Sequence, residues 1–179
     1  MNLYVTRHGE TEYSLKGIVC GTTDCPLNES GHRQAESLAQ EIISKGLQID
    51  IIYTSPLSRA LKTAEIISQM LEIPYIVDSR LREQDCGAYE GSAARDDKNF
   101  SEERFHFANR LRGGESALQL GQRVYNFLDG LCQNGENRTA LIVGHACVCK
   151  IIHTYFHELT NEEYFEHKTG NCELVVYDI

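Results

Sequence analysis

The stretch Ile49-Asp50-Ile51-Ile52-Tyr53-Thr54-Ser55-Pro56-Leu57-Ser58-Arg59-Ala60-Leu61 changes its period in the middle. The first six residues are a short, β-branched and aromatic run that ends at Ser-Pro, which reads as a strand. Beyond it, Leu57, Ala60, Leu61, Ala64, Ile67 and Leu71 recur at helical spacing. Ser55 is expected as the N-cap of that helix, with Pro56 in its first turn. Four more apolar runs, Leu3–Thr6, Tyr75–Val77, Ala140–Val143 and Glu173–Tyr177, read as strands. Several are continuous rather than alternating, which suits a parallel sheet covered on both faces. Helical patterns fall between them. Gly31–Lys45 carries Ala35, Leu38, Ala39, Ile42 and Ile43 on one stripe and stops at Gly46, another helix spans Leu118–Leu131, and one more follows His145. The expected fold is α/β, a doubly wound, mostly parallel sheet flanked by helices on both faces, in a single domain over residues 1–179. Residues 92–113 are polar and mix Arg95, Lys98, Arg104, His106, Arg110 and Arg112 with acidic residues. They read as an excursion at the ligand-binding edge that shapes the substrate site.

The 179 residues include 17 Lys and Arg against 26 Asp and Glu, a formal net charge of −9. That balance speaks against nucleic acid or an anionic membrane as the main partner, since both need a cationic footprint. It leaves room for a small anionic ligand held by a few local cations. No apolar run approaches the roughly 18 residues of a spanning helix, and no signal peptide is visible at the N-terminus. Seven cysteines at irregular spacing, without a Cys-x-x-Cys, indicate reduced thiols and a cytoplasmic location. No heptad or interface stripe defines an oligomeric state.

Open α/β sheets bind ligands at the carboxyl ends of their strands, and three of the five ends carry chemistry. The first ends in Arg7-His8-Gly9-Glu10-Thr11, the second leads to Arg59 at a helix start, and the fourth ends in Gly144-His145. Each has an ordinary reading when taken singly: a turn, a solvated arginine near a cap, a histidine bonded beneath a loop. Together they suggest two histidines and two arginines meeting at one edge. His153 and His157 have the i, i+4 spacing of a helical zinc pair but lack the glutamate of His-Glu-x-x-His, and they read as a polar helix face.

Arg7-His8-Gly9-Glu10-Thr11, followed by Gly17, Gly21, Asp24-x-Pro26-Leu27 and Gly31, resembles the histidine phosphatase (phosphoglycerate mutase-like) superfamily. The resemblance continues through Ser55-Pro56-Leu57-x-Arg59-Ala60-x-x-Thr63-Ala64, Leu81-x-Glu83, Gly87-x-Tyr89-Glu90-Gly91, Gly114-Glu115-Ser116, Gly144-His145 and Asn171. It implies that His8 is the nucleophile that takes up a phosphoryl group. Arg7, Arg59 and His145 would hold the phosphoryl oxygens, and Glu83 would give a proton to the leaving oxygen. Thr11, Ser14, Cys20, Gly21 and Ala146 would contact the substrate, a small phosphorylated molecule. The scheme calls for no metal and no cofactor. Elementary chemistry agrees: a phosphoryl group in transfer spreads charge over three oxygens, so fixed cations are the main device. Two arginines beside His8 should also keep its ring neutral.

Several positions depart from the family pattern. Ser14 stands for a usual Asn, Ile18 for a frequent Arg, Cys20 for Thr, Ser or Gln, Tyr89 for Trp, and Ala146 for Gly. Gln84 follows Glu83 where the mutases have Arg, Cys86-Gly87 replaces Tyr-Gly, and the chain is shorter after Gly91. These differences point to the phosphatase branch, with phosphoglycerate mutase-type transfer as the alternative. Selectivity is expected in Cys20–Thr23 and in the 92–113 excursion, where Arg104, Arg110 or Arg112 should meet a second anionic group.

Overall fold

The computed structural model describes residues 2–93, 98–133 and 138–178; residues 94–97 of the excursion, Arg95 among them, lie outside the described residues. Strands β1 (Asn2–Arg7), β2 (Ile51–Thr54), β3 (Tyr75–Val77), β4 (Ala140–Gly144) and β5 (Leu174–Asp178) form one sheet in the order β3-β2-β4-β1-β5. All pairs are parallel except β1 with β5. Alternate residues of the central strands face opposite ways, and each set finds its own helices. Leu3, Val5, Ile51, Ala140 and Ile142 pack against helices α5 (Ala117–Gln133), α6 (Ala146–Phe156) and α7 (Asn161–Glu166). Tyr4, Ile52, Leu141 and Val143 pack against α2 (Glu29–Ser44) and α3 (Ser58–Leu71). The expected doubly wound, mostly parallel sheet is the observed one. Two short helices, α1 (Glu12–Lys16) and α4 (Lys98–Arg104), stand over the carboxyl edge. Among the described residues no helix is long and apolar enough to cross a membrane.

Local physics moved three details. Helix α3 begins at Ser58, with Leu57 and not Ser55 in the N-cap position. Ser55 stays with the sheet, its N–H donating to Val143 O at 3.4 Å. Its Oγ accepts from Leu57 N at 3.2 Å, and the first turn of α3 is capped from elsewhere, Ser58 N donating to Asp24 Oδ1 at 2.8 Å. On α3 the fully buried positions include Arg59 and Thr63 instead of Leu57, Leu61 and Leu71, which are half-buried. Ile43, expected on the buried stripe of α2, is 54% exposed, so that stripe ends at Ile42. Strand β3 is also exposed throughout, as the outer edge of the sheet.

The loop after β1 is fixed by a glycine pair. A Cβ on Gly9 would lie 2.4 Å from Gly31 O, and one on Gly31 would lie 2.2 Å from Glu10 O. Nothing larger fits where the start of α2 meets the residues following His8. Replacing Gly31 with Ala is expected to cost about 1–3 kcal/mol through overpacking, read by urea unfolding. An unchanged midpoint would show that the loop yields freely.

Candidate active site

The pairing of β1 with β4 is in register at Arg7↔Gly144, and β2 with β4 at Thr54↔Val143. The next residues of β1 and β4 are His8 and His145, which therefore emerge side by side, their rings 5.2 Å apart. His8 N donates to Gly144 O at 3.0 Å, and Asn171 Nδ2 donates to His8 O at 2.7 Å. Thr63 on α3 accepts from Gly9 N at 3.1 Å, which ties the same loop to the next helix.

The His8 ring is oriented from both sides. Its Nδ1 lies 2.7 Å from Gly9 O. A carbonyl only accepts, so Nδ1 carries the proton and Nε2 keeps its lone pair. Arg59 Nε donates to that Nε2 at 3.2 Å, in keeping with this tautomer. Burial, then Arg7 and Arg59, push His8 well below the usual imidazole range, against a smaller opposing effect of Gly9 O. His145 is fully buried and moves the same way, through burial first and then Arg59, His8, Arg7 and Arg123. Both ring nitrogens of His145 and Nε of Arg7 have no hydrogen-bond partner among the described residues.

Arg59 is 1% exposed and makes no ion pair among the described residues. Backbone carbonyls take the place of a carboxylate: Gly21 O at 2.8 Å, Thr23 O at 3.0 Å and Cys20 O at 3.5 Å. The loop that offers them is held by Glu90. Its carboxylate accepts from Thr22 N at 2.7 Å, Thr23 N at 2.6 Å and Cys86 N at 3.2 Å, and from both threonine hydroxyls. Glu90 appears in the sequence motif without a role, and its spacing alone carried no signal for this one. Gly21 is where this loop passes closest to Gln84, whose carbonyl would lie 2.4 Å from an added Cβ.

Glu83 is buried at the mouth of α6. Its carboxylate accepts from Gln84 N at 2.9 Å and from Cys147 N at 3.1 and 3.2 Å. Its carbonyl is held by Arg123 at 3.0 Å, and Arg123 is itself paired with Glu115 at 2.8 Å.

A cavity of about 420 Å³ joins these groups; Arg7, His8, Thr11, Ser14, Cys20, Arg59, Glu83 and Ala146 line it. Two expected site residues do not reach its wall. His145 is fully buried against the His8 ring, and Gly21 contributes its carbonyl to Arg59 instead. Thr11 and Ser14 form the capping box of α1, with Ser14 N donating to Thr11 Oγ1 and Thr11 N to Ser14 Oγ. Of the three arginines expected near a second anion, only Arg104 lines the cavity, stacked over Phe100 with its guanidinium carbon 5.2 Å from the ring centre. Arg110 turns back to Gly114 O at 3.1 Å, and Arg112 pairs with Glu103 at 3.5 Å over the Tyr89 ring. Of the three alternatives Arg104 is therefore the one placed at the cavity, while Gly114 O and Glu103 hold the other two guanidinium groups. Lys150 and Lys168, which sequence reasoning passed over, complete the far wall. Lys150 was findable, since it follows Ala146 at i, i+4 on the same helix face.

A second cavity, of about 400 Å³, lies between α5, α6 and α7 and is lined by groups such as Leu118, Tyr125 and Ile151. It contains no comparable set of charged residues. Among the described residues no group of three or more His, Cys, Asp or Glu is placed to hold a metal. His153 stacks on His167 at 4.0 Å and pairs with the Tyr177 hydroxyl at 3.0 Å.

A doubly wound sheet that brings two histidines, a buried arginine and a carboxyl group together at its carboxyl edge defines a protein of the histidine phosphatase type. The chain belongs to the histidine phosphatase superfamily (branch 1), whose family model matches residues 3–179. It is 38% identical over 149 residues to a Hydrogenobacter thermophilus protein provisionally named phosphoserine phosphatase 2, covering 80% of this chain and 72% of that one. It is 33% identical over 187 residues to a 2,3-bisphosphoglycerate-dependent phosphoglycerate mutase of Chelativorans sp., covering 98% and 90%. Among solved structures, Bacillus stearothermophilus YhfR superposes with a TM-score of 0.86 at 29% identity, covering 99% of this chain and 91% of that one.

The two buried histidines set a pH dependence. Their folded-state values lie below the unfolded value near 6.5, so the stability they leave intact is present above that pH and lost as pH falls. Each should contribute a slope of up to about 1.4 kcal/mol per pH unit below 6.5. Urea unfolding between pH 7.5 and 5.0 should show His145→Asn with a slope shallower by about one proton. Equal slopes for wild type and variant would contradict a neutral, buried His145.

Proposed function

We propose that the protein hydrolyses a small phosphomonoester through a phosphohistidine at His8, without a metal or cofactor. The observation that carries this reading is the His8 ring itself: Nδ1–H is bound to Gly9 O, and the Nε2 lone pair is held beside Arg59 at the cavity. In the proposed reaction Nε2 attacks phosphorus and the bond to the leaving oxygen breaks. Arg59 passes its N–H from Nε2 to a phosphoryl oxygen at that moment, and Arg7 holds a second oxygen. Glu83 gives its proton to the leaving alcohol. Water then attacks the phosphohistidine, Glu83 takes a proton from it, and phosphate leaves with His8 restored. His145, its ring 5.2 Å from that of His8 and its nitrogens unpartnered among the described residues, would hold a phosphoryl oxygen with an N–H.

The test is p-nitrophenyl phosphate turnover in excess EDTA. His8→Ala should fall to background, and Arg59→Ala should lose roughly 10²–10³-fold in kcat, the usual cost of one oxyanion donor. Comparable rates for wild type and His8→Ala would overturn the reading. The mutase alternative is favoured by the relatives named as phosphoglycerate mutases. Against it stand Gln84 after Glu83 and Cys86 before Gly87. Following 3-phosphoglycerate by NMR with a bisphosphoglycerate primer separates them: a mutase yields the isomer, a phosphatase yields inorganic phosphate.

The far wall supports a substrate with a second anionic group. Arg104, Lys150 and Lys168 line the same cavity as Arg7 and Arg59. A hydrogen bond to a charged group contributes about 1.5–3 kcal/mol. Arg104→Met should therefore raise KM roughly 10- to 100-fold for such a substrate and leave p-nitrophenyl phosphate nearly unaffected. Arg110→Met and Arg112→Met should change neither, and a KM effect of Arg112→Met equal to that of Arg104→Met would refute the assignment.

A further inference from the structure

Cys20 and Cys25 are two of seven scattered cysteines in the sequence, yet the fold brings their sulfur atoms within 2.9 Å. Both thiols are free. Cys20 is half-buried and lines the cavity, while Cys25 lies behind it with Sγ 3.8 Å from Nη1 of Arg59. Thr23 O lies 3.2 Å from Cys20 Sγ as a second acceptor within reach of its single proton. These contacts divide the pair into two unlike sulfurs. The hydrogen bond from Cys20, then Arg59 and Thr11, hold Cys25 well below the usual thiol range, although burial opposes them. The same hydrogen bond, with burial, pushes Cys20 up. A thiolate stabilised by a guanidinium, with a second thiol in contact, is the arrangement that reacts with oxidants and then resolves internally.

We propose that Cys20 and Cys25 form a peroxide-sensitive thiol pair whose disulfide disables the site through the loop that holds Arg59. A hydroperoxide small enough to enter at the Cys20 wall is the oxidant. The Cys25 thiolate sulfur attacks the near oxygen and the O–O bond breaks; the departing oxygen takes a proton from solvent and leaves as water or alcohol. Cys25 is then a sulfenic acid. The Cys20 sulfur attacks the Cys25 sulfur, the S–O bond breaks, and the Cys20 proton leaves with the hydroxyl as water. Two thiols have lost two electrons and two hydrogens, and the peroxide has been reduced.

The consequence follows from what the ring encloses. A disulfide of about 2.05 Å draws the two sulfurs together by about 0.9 Å from their present separation. The carbonyls of Cys20, Gly21 and Thr23, which hold the Arg59 guanidinium, all lie on the segment being closed. A displacement on the order of 1 Å at a catalytic group can cost about 100-fold in rate. Formation of the cross-link does not depend on the phosphatase reading; its effect on turnover rests on it.

The experiment treats the full chain with hydrogen peroxide, then alkylates it and maps the tryptic peptide of residues 17–33, which holds both cysteines. Wild type should show this peptide unalkylated and lighter by two hydrogens, with kcat at least tenfold lower and recovery in dithiothreitol. Cys25→Ser should keep its own starting activity through the treatment, and Cys20→Ser should accumulate a sulfenic acid that dimedone traps. Alkylation of both thiols after wild-type activity has gone would overturn the proposal, as would full turnover by the cross-linked protein or equal inactivation of Cys25→Ser. A wild type with no turnover would overturn the phosphatase reading and the effect on it, while the alkylation pattern still decides the cross-link.

Discussion

Arg59 imposes the constraint around which the carboxyl edge is built. An ionised group taken out of water costs several kcal/mol unless its hydrogen-bonding capacity is met, and this guanidinium is buried without a carboxylate. The chain meets the cost with backbone dipoles, turning the carbonyls of residues 20, 21 and 23 inward. A loop that points its carbonyls inward needs its N–H groups satisfied on the other side. Glu90 does that, and it stays ionised because the hydrogen bonds of Thr22 and Thr23 outweigh the effect of burial. The charge therefore reaches the site by a chain of dependence: Glu90 fixes the loop, the loop fixes Arg59, and Arg59 fixes the His8 ring. A carboxylate placed directly on Arg59 would have neutralised the cation that the site needs.

The second dependence is topological. Strand β4 lies between β1 and β2 although it follows both in sequence by many residues. That insertion, with Arg7 level with Gly144, is what sets two histidines side by side. A shift of one residue would have turned one imidazole toward the opposite face of the sheet. The glycine contact between Gly9 and Gly31 then keeps the loop close enough to α2 for Gly9 to present its carbonyl to the His8 ring.

These two dependences explain which features were readable in advance. Strand and helix positions depend on local periodicity, and the five apolar runs matched the five strands to within two residues. Ser55 does not cap α3 because its N–H is tied to Val143 O of β4 while the first turn of the helix is capped by Asp24, a partner 34 residues away that no local pattern reveals. Arg104, Arg110 and Arg112 stand as alternatives in the sequence because the partners of the last two, Gly114 O and Glu103, lie beside or within the same excursion, and a sequence without long-range contacts cannot tell an arginine facing the cavity from one tied down locally. The supporting role of Glu90 was hidden for the opposite reason. Its partners Thr22 and Thr23 are 68 and 67 residues away, with no periodicity to connect them.

The polarity of the whole chain takes on a different meaning at this site. Against a net charge of −9, the described residues lining the cavity include Arg7, Arg59, Arg104, Lys150 and Lys168 with Glu83 as their carboxylate. Surface charges are screened over about 8 Å at physiological ionic strength, whereas these cations face one another across a partly desolvated space. They concentrate positive charge on a small volume, and after burial Arg7 and Arg59 among them disfavour protonation of both histidines. A large polyanion meets the acidic exterior before it reaches them, while a ligand that fits within the cavity meets mainly the cations. The same burial that keeps His8 neutral for attack also makes the site costly to maintain in acid, so nucleophilicity and acid sensitivity are two consequences of one desolvated ring.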